Sequence, residues 1–431
     1  VTWEAEFRQK LVSAEAAASI VKSGDRVVVG TATTYPQAFM RALAERAPEI
    51  DGVEVFHMRV LAPTDYARPG VDKHIRLKTC YLGDTTRQAE EEGKVDFFPS
   101  TYYGVSSLLK NDHLPVDMVV LCLSGPDTDG YFSYGTYVGY QKAAKECART
   151  VVAEVNENMP WTCGTPPVHV SEIDRIIQVS YQLPRPAREP LQEIHQRIGR
   201  YAADLIEDGA TLQIGIGAIP EAILRFLSGK KELGIHTEFM TGVMVPLIEQ
   251  GMVTNQKKRL NQGKSVGSIL DGSPELSVFA HRNRAIELFP IEYVNDPCVI
   301  SQNDKAVAIN SAIEVDLTGQ VNCEAIGRRP YSGVGGSLDF ALGANLSRGG
   351  KSIYAFASTA RDGQVSRIVP VLSPGTPVTI PRTLVDYAIT EYGVAQLRGK
   401  SLRQRAKMLI DLAAPPFREG LWNQALELGL A

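Results

Sequence analysis

The residues best equipped for chemistry are one glutamate and two glycine-rich runs. Glu238 stands in KELGIHTEFMTG (231–242), with apolar Leu233, Ile235 and Phe239 around it and Gly234 and Gly242 bracketing the segment. That pattern predicts a buried strand that ends at a carboxylate. In α/β proteins ligands bind at the carboxyl ends of the strands. A carboxylate placed there can act as nucleophile, general base or metal ligand. His236, two residues earlier, permits an H-x-E metal reading, but no P-C-x-x-C partner exists. No metal is assigned, and His236 reads more simply as a packed or hydrogen-bonded histidine.

The first glycine-rich run is GIGAIPEAI (215–223), after one strand pattern and before a helix pattern. Glycines there let backbone N–H groups approach an anion, and the helix dipole favours negative charge. Pro220 replaces the third glycine of a dinucleotide fingerprint, so that reading is excluded. A plain strand-to-helix turn stays open beside a ligand loop. The second run is PYSGVGGSLDFALG (330–343). Gly333, Gly335 and Gly336 within four positions cost chain entropy. A tight turn accounts for one or two of them, while close approach of a ligand to backbone N–H groups accounts for the whole run.

The elements that must position these residues repeat. Residues 20–43 read IVKSGDRVVVGTATTYPQAFMRAL and residues 204–227 read DLIEDGATLQIGIGAIPEAILRFL. Gly24 matches Gly209, Pro36 matches Pro220 with one residue skipped, and Leu43 matches Leu227. DTDGYFS (127–133) echoes DLTGQVN (316–322), and VHVSEID (168–174) echoes TLVDYAI (383–389). Two related α/β units follow from this. Strand patterns cover 26–30, 53–58, 118–123, 150–155, 211–217, 276–280, 306–310 and 352–357. Many are apolar on both faces, as in a mainly parallel sheet covered by helices. Helices are expected at 36–47 and 220–231, with proline in the first turn. ITEYGVAQLRGKSLRQRAKMLIDLA (389–413) reads as strand, turn and amphipathic helix, with Arg403, Arg405 and Lys407 on a solvated face. The proline-rich linker YQLPRPAREPLQEI (181–194) divides the chain into domains at 1–183 and 190–431.

At 431 residues, 44% hydrophobic and 22% charged, the composition is that of a soluble globular protein of two domains. A net charge of −4 with interspersed signs excludes a basic nucleic-acid or membrane-binding face. No apolar run approaches the roughly 20 residues of a membrane span. The N-terminal stretch lacks an apolar signal core and reads as an amphipathic helix leading into the first strand. The six cysteines are scattered without metal-ligand spacing, as expected of reduced, buried thiols in a cytoplasmic protein.

Taken together, LQIGIGAIP, LGIHTE, YVNDP (293–297), INSAIEVDLTGQV (309–321), YSGVGGSLDF, RIVP (367–370), TEYGVAQLRGK and RQRAKMLI resemble the family I CoA-transferases of the acetyl-CoA hydrolase/transferase superfamily, over essentially the full length. The likeness is to the 4-hydroxybutyrate and butyrate:acetate branch. It implies two tandem α/β domains with mainly parallel sheets and an active site in the cleft between them. It places the catalytic glutamate of the H-[ST]-E motif at Glu238. The CoA loops would be Gly215, Ile216, Gly217, Ala218 and Ile219, and Ser332, Gly333, Val334, Gly335 and Gly336, with Arg361 as a further basic contact. Gly335 and Gly336 are the candidate oxyanion donors. The implied reaction is ping-pong transfer through a glutamyl-CoA thioester, with acyl-CoA and a carboxylate as substrates and no permanently bound cofactor. A homodimer or higher homo-oligomer is expected by the same analogy.

The chain departs from its relatives at TGVMVPL (241–247), at AAP (413–415), at YYGVSS (102–107) and at Arg59, where an apolar residue follows HM in a relative. The first half is expected to shape the acceptor pocket, through Arg59, Tyr35, Tyr102 and Tyr103. A buried guanidinium calls for an anion, so one reading is a dicarboxylate acceptor such as itaconate or succinate. In the other, Arg59 pairs with Asp65 or Asp84 and the acceptor is a short monocarboxylate. An acyl-CoA hydrolase using the same site, or a regulatory CoA-binding protein without turnover, are the alternatives to transfer.

Overall fold

A computed structural model describes residues 2–62, 64–185 and 190–431. The core of the expected linker, residues 186–189, and the side chain of Asp65 lie outside the described residues. The chain forms two compact units. The first comprises Val1–Pro186, Met240–Gly242 and Val266–Val294; the second comprises Ala187–Phe239, Val243–Ser265 and Asn295–Ala431. The sequence reading placed one cut between 183 and 190; Met240–Gly242 and Val266–Val294 of the later half also group with the first unit.

The first unit holds a seven-stranded, wholly parallel sheet built from β1 (Arg26–Val29), β2 (Val53–Phe56), β3 (Ile75–Thr79), β4 (Val95–Phe97), β5 (Met118–Leu123), β6 (Thr150–Asn156) and β7 (Arg175–Val179), in the order β7-β6-β5-β1-β2-β3-β4. All six residues of β5, MVVLCL, are buried, as a central parallel strand covered on both faces requires. The second unit holds β8 (Thr211–Ile214), β9 (Gly234–Ile235), β10 (Ala306–Asn310), β11 (Lys351–Ala355), β12 (Tyr387–Thr390) and β13 (Gly393–Gln396), in the order β9-β8-β10-β11-β12-β13. Only the β12–β13 hairpin of this sheet is antiparallel.

The internal repeat is a repeat of topology. β2-β1-β5-β6-β7 in the first unit runs in the same order as β9-β8-β10-β11-β12 in the second. Val27 pairs with Val55 in one sheet and Leu212 with Ile235 at the matching place in the other. The echoed turns after β5 and β10 share their hydrogen bonds. Asp127 Oδ1 accepts from Asp129 N and Tyr131 N at 3.0 and 2.9 Å, and Asp316 Oδ1 accepts from Thr318 N and Gln320 N at 2.9 and 3.0 Å. Each turn passes through a glycine in the left-handed region, Gly130 at φ 81° and Gly319 at φ 92°, which is why both copies keep it.

Two expectations are corrected. Residues 276–280 are not a strand; Pro274–Ala280 is a helix with proline in its first turn. Leu276 and Ala280, one turn apart, are buried while Val278 is 78% exposed, so a helical period governs a segment whose β-branched content suggested otherwise. Arg405 does not lie on a solvated face. It is buried in the helix Leu402–Leu412, where Nη1 donates to the carbonyls of Arg382 (2.8 Å) and Thr318 (3.2 Å), while Arg403 and Lys407 are exposed. Of the cysteines, only Cys80 and Cys122 are fully buried, Cys298 is exposed, and all six are free thiols. Among the described residues no helix is long and apolar enough to cross a membrane.

Candidate active site

Glu238 follows the edge strand β9 of the second unit. Only two residues of β9 pair with β8, so the chain beyond it is fixed by other bonds. His236 N donates to Leu212 O at 3.1 Å, and the side chain of Asn255 accepts from Ile235 N at 2.8 Å. The buried ammonium of Lys258 donates to Ile235 O at 2.8 Å. Thr237 is fully buried and its hydroxyl donates to Phe239 O at 3.1 Å. These bonds hold the backbone on both sides of Glu238.

Three groups meet the Glu238 carboxylate. Asn295 Nδ2 donates to Glu238 Oε2 at 2.9 Å and reaches Asp339 Oδ2 at 3.4 Å. The N–H of Gly336 also donates to the carboxylate. Gly336 tolerates no side chain: a Cβ there would stand 2.1 Å from Glu238 Oε2 and 2.5 Å from Asn295 Nδ2. Burial pushes the Glu238 carboxyl from its ordinary 4.5 up to about 8, and the nearby Asp339 charge adds to the rise. The hydrogen bonds from Asn295 and Gly336 work in the opposite direction without offsetting it. The residue keeps some accessible surface, but its carboxylate is enclosed by these neighbours.

The elements delivering these groups follow from local sequence. Gly336 is the N-cap of the helix Ser337–Leu346, and Asp339 lies in its first turn, where the helix dipole favours a negative charge. Gly335 takes a left-handed φ of 55°, the turn into the helix that the glycine run makes possible. Ser332 anchors the loop, its hydroxyl donating to Cys323 O at 2.9 Å and its N–H to Glu324 O at 3.0 Å. Asn295 stands one residue before Asp296, the N-cap of the helix Pro297–Ser301, which caps it by accepting from Cys298 N at 2.7 Å. Gly343 lets that helix approach closely, since a Cβ there would meet Ile300 at 2.6 Å. His236 is buried with its ring edge-on to Phe340, 6.3 Å between centroids, the packed histidine expected from the sequence.

The structure brings Gly336 of the expected site residues onto Glu238 and adds two that sequence reasoning did not assign, Asn295 and Asp339. Asn295 lies in YVNDP and Asp339 in SLDFALG, both quoted as family motifs; an uncharged amide and a helix-start aspartate carry no spacing signal of their own. Gly215, Ile216, Gly217, Ala218 and Ile219 lead from β8 into the helix Ala218–Arg225, with Gly215 N donating to Ile309 O at 3.1 Å and Ile216 exposed. Gly333 is buried and Val334 partly so, between Ser332 and the Gly335 turn. Arg361 stands exposed at the turn between the short strands Thr359–Ala360 and Val365–Ser366.

The four expected acceptor residues belong to the first unit. Tyr35 is buried with its ring edge-on to His57, 5.5 Å between centroids. Tyr102 is buried and donates its hydroxyl to Tyr137 at 2.6 Å, which ties it into the core, while Tyr103 is largely exposed. Arg59 Nη2 lies 3.8 Å from Asp84 Oδ2, and its side chain is 30% exposed. Of the two readings of Arg59, this contact is the one in which it pairs with Asp84, and Gly83 leaves room for the Arg59 chain to run out toward that carboxylate.

Residues 2–182 match the acetyl-CoA hydrolase/transferase N-terminal domain, and residues 272–425 match the C-terminal domain of the same family. The chain is 46% identical to the 4-hydroxybutyrate coenzyme A transferase of Clostridium kluyveri, over 98% of both chains. It is 41% identical to the succinyl-CoA:cyclohexane-1-carboxylate CoA transferase of Geobacter metallireducens, over 98% of this chain and 97% of the other. The crystal structure of RipA from Yersinia pestis superposes with a TM-score of 0.94 at 35% identity, covering 100% of each chain. With both family domains present and relatives matched from end to end, the chain belongs to the acetyl-CoA hydrolase/transferase family, among the family I CoA-transferases.

Proposed function

We propose that this CoA-transferase moves CoA from an acyl-CoA donor to a short carboxylate by way of a glutamyl-CoA thioester on Glu238. The observation that carries the reading is the enclosed Glu238 carboxylate, raised to about 8 and aimed by Asn295 Nδ2 and Gly336 N–H. A desolvated carboxylate with a raised pKa is a stronger nucleophile than a solvated one. Its attack on the thioester carbonyl forms an acyl-glutamyl anhydride and releases CoA thiolate. The thiolate attacks the glutamyl carbonyl, the acid leaves, and the enzyme keeps CoA as a thioester. A second carboxylate then runs the steps in reverse.

Gly336 N–H and Asn295 Nδ2 already face a Glu238 oxygen. They are placed to hold the charge that develops on that oxygen when the glutamyl carbonyl becomes tetrahedral. Gly335 supports this role through its turn. The Gly215–Ile219 and Ser332–Gly336 segments are assigned to CoA. Its remote parts supply the binding energy that positions the thioester, and no permanent cofactor is required. Family resemblance supports a homo-oligomer, at least a dimer, and the six scattered free cysteines support a reducing, cytoplasmic setting.

The acceptor is assigned as a short monocarboxylate of the 4-hydroxybutyrate, butyrate or acetate type. Two observations support it over itaconate or succinate. Arg59 already has Asp84 as partner, and the 46% identical relative is named for 4-hydroxybutyrate. The test is a panel of these acids against acetyl-, butyryl- and succinyl-CoA, with intact-mass detection of a CoA adduct on a peptide containing Glu238. Parallel ping-pong lines and the adduct are expected. Thiol release without an added acid would mark a hydrolase, CoA binding without turnover a regulatory protein, and full activity in Glu238→Ala would overturn the assignment.

A further inference from the structure

We propose that Asp339 is a positioning residue that biases Glu238 from free carboxylate toward its neutral thioester, by placing a second buried carboxylate across a shared amide. The inference rests on the covalent reading of Glu238 and deepens it. Asn295 Nδ2 bridges the two groups, 2.9 Å from Glu238 Oε2 and 3.4 Å from Asp339 Oδ2. Asp339 is only 4% exposed and sits in the first turn of Ser337–Leu346, where the N-terminal dipole favours its charge. Glu238 meets the same helix start through the Gly336 N–H. Of the two carboxylates only Glu238 loses its charge in the reaction, as it becomes the thioester, and its raised pKa agrees with relief in that direction.

The other charged groups nearby are engaged elsewhere. Asp296 caps its own helix, and Glu221, in the first turn after the Gly215 loop, pairs with Arg225. His236 stacks edge-on against Phe340. No other charged side chain is a source of the Glu238 shift.

The consequence concerns the half-reaction in which the Glu238 carboxylate and acyl-CoA become glutamyl-CoA and a free carboxylate. One C–S bond is exchanged for another, and the negative charge leaves with the departing acid. The like-charge contact with Asp339 exists on the left side only. Its relief pulls the equilibrium toward the thioester wherever Glu238 would otherwise be ionised. Below the Glu238 pKa the reference state is the protonated acid, and the repulsion has nothing to act on. The bias therefore has a pH signature that a purely structural contact lacks.

The experiment equilibrates enzyme with acetyl-CoA and acetate at a fixed ratio and quantifies the Glu238–CoA adduct by intact mass, at pH 6 and at pH 9. Asp339→Asn should lower the adduct-to-free ratio roughly tenfold at pH 9, the equivalent of one pKa unit, and leave it nearly unchanged at pH 6. Asp339→Glu, which keeps the charge, should hold the pH 9 ratio near wild type. Thermal melts check folding, and Asp339→Ser replaces Asp339→Asn if the latter is unstable. An unchanged ratio at pH 9, or an equal drop at both pH values, overturns the proposal. Absence of any adduct in wild type overturns the covalent reading itself, a result distinct from a wild-type adduct that Asp339→Asn leaves intact.

Discussion

Replacing Glu238 by glutamine should stabilise the protein, and by an amount that grows with pH. Glutamine is neutral at every pH and close in shape to the protonated glutamate that the site favours. In the unfolded chain the Glu238 carboxyl ionises near 4.5, whereas in the folded protein burial keeps the proton on until about 8. Below 4.5 both states are protonated and the site costs nothing. As pH rises, unfolding gains an ionisation that the folded state resists, so stability is lost progressively and the loss is complete above about 8. At about 1.4 kcal/mol per pKa unit the full penalty approaches about 5 kcal/mol. The residue keeps some solvent access, so about 2–3 kcal/mol is the share to expect after screening. For a unit of this size that is on the order of 5–10 °C in melting temperature. Wild type and Glu238→Gln should therefore melt together at pH 4.5 and diverge by several degrees at pH 9, with glutamine the more stable. Melting temperatures that differ by a constant amount across that range, or a less stable glutamine variant at pH 9, would refute the electrostatic account of the site.

Gly336→Ala is a steric probe at a backbone position with no left-handed strain, because Gly336 has φ −92°. Its methyl would collide with Glu238 Oε2 and Asn295 Nδ2, so transfer should fall by about 10²-fold or more with a stability loss of about 1–3 kcal/mol; retained activity would show that the carboxylate can move aside. Arg59→Leu removes a partly exposed ion pair with Asp84. It should change stability by less than about 1 kcal/mol and leave the ranking of acceptor acids intact, so a selective loss on succinate or itaconate in the kcat/KM panel would restore the dicarboxylate reading. Glu154 is buried in the first unit, where it accepts from Phe39 N at 2.9 Å, at the start of the helix Gln37–Glu45, and from the Tyr181 hydroxyl. Glu154→Ala leaves those donors unpaired and should cost about 2–4 kcal/mol in urea unfolding; a loss under about 1 kcal/mol would mean water replaces the carboxylate.

What the sequence determined by itself is what lies within one segment or one repeat. Both copies of the strand–turn–helix unit were visible because Gly24 and Gly209, the prolines at the two helix starts and the Asp127 and Asp316 turns recur in the same order; Pro36 caps its helix while Pro220 lies inside the first turn of its own. The parallel strands were legible because burial on both faces leaves an unbroken apolar run such as MVVLCL. Glu238 stood out because it closes the H-[ST]-E motif just past an apolar strand. The residues 276–280 misled because so short a segment with four apolar residues does not reveal its period, and the burial of Leu276 and Ala280 on one face chose the helix. The surroundings of Glu238 were decided by tertiary structure alone. Asn295, Gly336 and Asp339 lie 57, 98 and 101 positions further along the chain, and they converge only because two helices pack side by side where Gly343 meets Ile300. Arg59 shows the same limit from the other side. Its charge was plain in the sequence, but the carboxylate beside it, Asp84, stands 25 residues away and is reached past the bare surface of Gly83. Spacing along a chain encodes local conformation, while a pKa or a paired charge depends on which distant groups the fold brings within a few ångströms.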